Sequence, residues 1–187
     1  MTIRFVGLRK LGLPVALAMD LSGHDVMGFD LNPKVMQKET CAYLEQGPNG
    51  ESSIEPFLRD SGLQFDSLPQ LVQHSEVIFL AVQTPHGEKY EGITKLPEER
   101  VDFDYSYLTS AIAEVSNEIS RARKALVLVV MSTVLPGTNR RNLVPLTNEY
   151  VRLCYNPSFI AMGTAIQDFL DREFVLLGEN DHDPSPV

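Results

Sequence analysis

Gly7 and Gly12 bracket a basic stretch, Leu8-Arg9-Lys10-Leu11, and Asp30 stands at the end of the next apolar segment. Glycines set this way between a strand and a helix let the backbone turn close against a phosphate. An acidic residue about 20 positions further on can accept hydrogen bonds from a ribose hydroxyl. The chemistry these residues suggest is dinucleotide binding. One position departs from the Gly-x-Gly-x-x-Gly pattern: Arg9 occupies the place of the middle glycine. That glycine normally lets the backbone approach the pyrophosphate. A side chain there either crowds the ligand or swings out and pairs its guanidinium with phosphate. The sequence leaves both outcomes open.

Other candidate residues follow apolar runs. Gln83-Thr84-Pro85 comes after the run that ends in Val82, and Ser132-Thr133 after the run 125–131. Thr84 and Ser132 could equally cap helices. Lys34 lies just beyond Asp30, where a cation could face an adenosine phosphate or simply be solvated on a helix. Cys41 and Cys154 are too far apart for a pairing to be argued, which fits a reduced, cytoplasmic setting. His182 between Asp181 and Asp183 looks like a metal cluster, but in a polar acidic terminus it reads as solvated, and no metal site is expected.

Hydrophobic periodicity indicates the elements that must hold these residues. Residues 3–6 read as a buried strand, and Leu13, Ala16, Leu17 and Leu21 recur at helical spacing with Pro14 tolerated in the first turn. A strand over 24–30 leads through Asn32-Pro33 into a helix running past Gln37 to about Gln46. A short helix over 55–60 stops at Gly62, a short strand spans 63–66, and a helical turn or two spans 68–74. The segment 85–101 is long, charged and unpatterned, as lids and disordered loops are. Asp104 is a candidate N-cap for a helix whose Leu108, Ile112, Val115 and Ile119 form one apolar face. Beyond it come a strand over 125–131, a helix over 139–146, strands over 151–155 and 174–177, and a polar, frayed tail from 179. The uninterrupted apolar runs 77–82 and 125–131 suit parallel strands covered on both faces. Strand and helix alternate throughout without internal repeat. The expected fold class is α/β: a single domain over 1–178 with a doubly wound, mostly parallel, Rossmann-like sheet. Ligands of such sheets sit beyond the carboxyl ends of the strands, which would gather Gly7–Gly12, Thr84-Pro85 and Ser132-Thr133 at one crevice.

Composition agrees. The 187 residues suffice for one domain with a real core, and a hydrophobic content of 43% marks a globular chain. A net charge of −9 argues against nucleic acid or an anionic membrane as partner. No apolar stretch approaches the roughly 18 residues of a membrane span, and the N-terminus enters a strand at once, unlike a signal peptide.

Taken in order, the motifs resemble the N-terminal, NAD-binding domain of the UDP-glucose/GDP-mannose 6-dehydrogenase family. They are Gly7-Leu-x-x-x-Gly-Leu-Pro14, Gly23-His-Asp-Val-x-Gly-x-Asp-x-Asn-Pro33, Val82-x-Thr-Pro85, Asp104-x-Ser-Tyr107, Ser132-Thr-Val-x-Pro-Gly-Thr138 and Asn156-Pro-x-Phe-x-x-x-Gly-Thr-Ala165. The resemblance covers the chain from Ile3 to about Leu177. Enzymes of this family oxidise the C6 alcohol of the sugar to a carboxylate in two NAD-dependent steps. The resemblance implies NAD as cofactor. It places Gly7, Leu8, Arg9, Lys10, Leu11 and Gly12 around the pyrophosphate. Asp30 falls on the adenosine ribose, favouring NAD over NADP, with Lys34 nearby. Val82, Thr84, Pro85 and Ser132 come to line the groove, and Thr133 lies beside the nicotinamide and the reacting carbon as the candidate catalytic residue.

Three departures accompany the likeness. Arg9 replaces a glycine; Ser158 stands where the family has glutamate in Asn-Pro-Glu-Phe; and the family's central helix, sugar-nucleotide domain and nucleophilic cysteine would lie beyond Val187. Cys41 and Cys154 match no family cysteine motif and read as core residues. The expectation is a chain that binds NAD, meets a sugar nucleotide only together with a further half, and does not turn it over alone. Family members form homodimers largely through the central region, and an exposed surface left here could self-associate. The alternative is a non-catalytic relic or interaction module with the same fold and little NAD affinity. A small dehydrogenase complete in itself fits less well, since no Tyr-x-x-x-Lys pair occurs.

Overall fold

The structure is a computed structural model; it describes residues 1–36, 54–90, 95, 97–161 and 163–179. The helix expected to run past Gln37, Cys41 and the His182 cluster lie outside the described residues. Seven strands form one sheet: β1 (Thr2–Val6), β2 (Asp25–Phe29), β3 (Gln64–Phe65), β4 (Val77–Leu80), β5 (Leu126–Val130), β6 (Val151–Tyr155) and β7 (Gly178–Glu179). Their spatial order is β3-β2-β1-β4-β5-β6-β7. All neighbours pair in parallel except β6 with β7. Parallel neighbours need crossovers, and these run through α1 (Gly12–Leu21), α2 (Pro33–Met36), α3 (Glu55–Asp60), α4 (Leu68–Gln73), α5 (Ser106–Ala122) and, between β5 and β6, the short turns of residues 139–146; α6 (Ala165–Leu170) lies between β6 and the antiparallel β7.

The central strands β4 and β5 are apolar along their length because both their faces are buried. Ile3, Phe5, Val77, Phe79, Val127 and Val129 point into one core, shared with α1 and α6. Their alternates Val6, Ile78, Leu80, Leu128 and Val130 point into the other, shared with α4 and α5. Phe5 and Phe79 face each other in register across β1 and β4 and stack at 5.1 Å. Leu108, Ile112, Val115 and Ile119 of α5 are all fully buried, as their spacing predicts. Arg4 interrupts the apolar run of β1 yet is buried, because its guanidinium donates to the carbonyls of Ile3 (3.0 Å) and Asp25 (2.8 Å) and to the Asp25 carboxylate (3.1 Å).

Four expectations are corrected. The segment 174–177 is not a strand: Phe174 is 58% exposed and Leu177 40%, and pairing with β6 begins only at Gly178. The carbonyl of Leu176 instead accepts from the Asn156 side chain at 2.9 Å, so its apolar character marked neither burial nor pairing. Residues 139–146 form a π turn (Asn139–Leu143) running into a 3-10 turn (Val144–Leu146) rather than an α-helix. Pro145 has no N–H to continue an α ladder. The stop of α3 is Ser61, already extended (ψ 153°), while the Gly62 N–H donates to Asp20 Oδ2 at 2.9 Å. Glu179, expected in the tail, pairs with Cys154.

Candidate functional site

Strand order reverses between β1 and β4, and the turns after these strands open a crevice at their carboxyl ends. The turn after β1 begins at Gly7, whose φ is 91°. A Cβ there would lie 2.7 Å from the carbonyl oxygen of Ala81, so the turn after β1 requires glycine. The Gly7 N–H donates to the Phe29 carbonyl at 2.9 Å. Gly12 opens α1 so close to this turn that a Cβ would lie 1.9 Å from the Gly7 oxygen. α1 begins with no side-chain cap and no acidic residue in its first turn, so its positive end carries no carboxylate of its own.

Asp30, just past β2, is committed on both oxygens. Oδ2 accepts the Leu8 N–H and Oδ1 the Asn32 N–H, each at 2.8 Å. The carboxylate therefore ties the glycine turn to the end of β2. Across the crevice, the Ser132 hydroxyl donates to the Val82 carbonyl (2.6 Å) and the Thr84 hydroxyl to the Thr133 carbonyl (2.8 Å). These hydroxyls cross-link the loops after β4 and β5 rather than cap helices. Tyr105 secures the far side of the β5 loop. Its phenol donates to Asp102 (2.5 Å) and accepts from the Leu135 N–H (3.0 Å) and the Thr138 hydroxyl (3.3 Å). Burial, then Asp102, raises its pKa.

The crevice holds a cavity of about 680 Å³. Gly7, Arg9, Lys10, Leu11 and Asp30 line one side, and Val82, Thr84, Ser132 and Thr133 the other. Leu8 is not at the surface of the cavity; its side chain is fully buried in the core beneath the turn. Gly12 lies behind the wall it allows to close, and neither Lys34 nor Pro85 lines the cavity. Lys34 is exposed on α2, and the Pro85 carbonyl accepts the Asp104 N–H at 2.8 Å. Ser158 is half-buried on the loop after β6, away from the cavity lining. Cys154 is buried in β6, and burial followed by Glu179 pushes its thiol pKa up, which suits a core residue and not a nucleophile.

Gln83, on the loop the sequence places at this crevice, lines it as well; sequence reasoning missed the wall supplied by α5, namely Ser110, Ala111 and Glu114 beside Tyr107. These positions follow helical spacing and form the stripe next to the buried face of α5, so the signal was present in the periodicity. Arg9 is exposed, and its Nη1 donates to Gln83 Oε1 at 3.3 Å across the mouth of the crevice. Among the described residues no group of three His, Cys, Asp or Glu side chains could hold a metal, and no helix is long and apolar enough to cross a membrane.

The residues present suit a dinucleotide: a turn that no Cβ could enter, an uncapped helix start behind it, and a carboxylate just past β2 bonded to that turn. Fold and crevice together define a dinucleotide-binding α/β domain. A family model described as the UDP-glucose/GDP-mannose dehydrogenase family, NAD binding domain, matches residues 1–186. The chain belongs to this family, and NAD is the cofactor of the domain it represents. It is 26% identical over 194 residues to the UDP-glucose 6-dehydrogenase of Rickettsia felis, covering 100% of this chain and 40% of that protein. It is 28% identical to the GDP-mannose 6-dehydrogenase of Pseudomonas aeruginosa, covering 97% of this chain and 41% of the relative. A ternary-complex crystal structure of GDP-mannose dehydrogenase from that organism superposes with a TM-score of 0.77 at 25% identity, over 97% of this chain and 41% of the other. The chain thus spans about two fifths of the length of these relatives.

Proposed function

We propose that this chain binds NAD in the crevice after β1 and β4 and serves as the cofactor half of a nucleotide-sugar 6-dehydrogenase of the UDP-glucose or GDP-mannose type, in cytoplasmic nucleotide-sugar metabolism. The observation that carries the reading is the meeting of the Gly7 turn, the uncapped start of α1 and Asp30 at one cavity. Bound NAD supplies the hydride acceptor for oxidation of a sugar C6 alcohol. The chain's own residues bind and orient. The turn and the helix start offer partial positive charge to a pyrophosphate. The Asp30 carboxylate, already bonded to the turn, takes a ribose hydroxyl and repels a 2′-phosphate. Thr133, exposed at the crevice, is placed to hydrogen-bond the reacting alcohol or a water beside it.

The chain alone does not complete the reaction. Ser158 offers no carboxylate base, and Cys154 is buried. The sugar nucleotide requires the further three fifths that the relatives possess. A second reading, a relic of the fold with little cofactor affinity, is favoured by one observation: the Arg9–Gln83 bond spans the mouth of the crevice. Calorimetric titration with NAD separates the two. A dissociation constant tighter than about 1 mM supports cofactor binding; anything weaker supports the relic. Incubation with NAD and UDP-glucose or GDP-mannose is expected to yield no NADH, and measurable turnover would refute the need for a second half.

A further inference from the structure

Arg9 stands where the fingerprint has its middle glycine, and its guanidinium rests on the neutral amide of Gln83, on the loop after β4. Both side chains are exposed and both line the cavity. The bond is long at 3.3 Å, and among the described residues Arg9 has no ion-pair partner. A guanidinium on a neutral amide oxygen makes an ordinary hydrogen bond. The same group on a phosphate makes a charge-assisted, often bidentate one, roughly twice as strong. Lys10 lies next to it on the same wall, and the uncapped start of α1 lies behind both. On this wall the charges of Arg9 and Lys10 are paired with no carboxylate among the described residues, although Asp30 and Glu114 line other parts of the same cavity.

We propose that Arg9 and Gln83 form a latch across the crevice which a diphosphate opens, the guanidinium leaving the amide oxygen for a phosphate oxygen. Arg9 is then the specificity-determining residue of the chain: it selects ligands for their diphosphate bridge and compensates for the glycine it replaces. The inference rests on the cofactor reading above and adds to it which part of the ligand is read. Gln83 acts as the holding partner, keeping the arginine extended over the mouth when no phosphate is present.

The test is calorimetric titration of the full chain and its Arg9→Gly, Arg9→Lys and Gln83→Ala variants with NAD, ADP and adenosine. The expected results are about a tenfold or greater loss of NAD and ADP affinity in Arg9→Gly, with adenosine affinity unchanged. Arg9→Lys keeps the charge but not the fork and falls in between. Gln83→Ala releases the arginine and binds NAD somewhat more tightly. Affinity for NAD should also decline more steeply with added KCl in the wild type than in Arg9→Gly. If Arg9→Gly binds NAD as well as or better than wild type, the side chain crowds the site and the latch is overturned while the cofactor reading stands. If neither wild type nor Arg9→Gly binds any of the three, both readings fail together.

Discussion

Asp30 and Gly12 show how much a single residue decides here. Asp30 reads from sequence as a ligand-binding carboxylate, but both its oxygens already hold backbone amides, so it shapes the turn before it meets any ribose. Gly12 is less tolerant still. A methyl group there meets the backbone oxygen of Gly7 at 1.9 Å, which no side-chain rotation relieves. Gly12→Ala is expected to cost about 1–3 kcal/mol or more in urea unfolding and to weaken NAD binding, because helix and turn must separate. Asp104 supplies a pH-dependent contribution. Its carboxylate accepts the Ser106 N–H at 2.9 Å, and that backbone bond, followed by the Ser106 hydroxyl, holds its pKa below the usual range. A lowered folded-state pKa gives stability that is complete above the unfolded value, roughly 3.9, and lost as pH falls through the folded value. The stability gap between wild type and Asp104→Ala should therefore be open at pH 7 and close toward acid; urea midpoints at pH 7 and at strongly acidic pH check this, and an equal gap at both would assign the effect elsewhere.

At the scale of elements, α5 does two jobs with adjacent faces. One stripe packs the core, and the next lines the crevice. Ile112 is fully buried against the strands, so Ile112→Ala is expected to lower stability by about 2–5 kcal/mol, read from chemical unfolding. The entrance of α5 is joined to the β5 loop through Tyr105. Removing its hydroxyl leaves the Leu135 N–H and the buried Thr138 hydroxyl without that acceptor. Tyr105→Phe should cost about 1–3 kcal/mol. It should also reduce NAD affinity, since the same loop carries Ser132 and Thr133. Unchanged stability would show that water replaces the phenol.

At the scale of the whole molecule, the crevice exists because the chain reverses its strand order between β1 and β4, leaving two turns with no crossover helix between them. A ligand that bridges those turns stabilises the native state by mass action. NAD at a hundredfold excess over its dissociation constant should add about 2.7 kcal/mol. For a domain of this size that raises the melting temperature by roughly 5–10 °C, and Asp30→Ala should largely abolish the rise. A shift of equal size in Asp30→Ala would place NAD elsewhere on the protein.

The alternation of elements, the doubly buried strands, the apolar face of α5 and the glycine turn were legible in the residues themselves, because each follows from local periodicity or steric need. Residues 174–177 and 139–146 were misread, because apolarity does not say whether a neighbour strand is within reach, and Pro145 outweighed the helical pattern around it. Helical periodicity outlines the stripe from Tyr107 to Glu114, but its use as a crevice wall, like the contact of Arg9 with Gln83, depends on which segments lie side by side. In sequence Arg9 is only a substituted glycine. Its position over the crevice arises because parallel pairing of β1 with β4 brings their following turns together, and only the tertiary structure decides that juxtaposition.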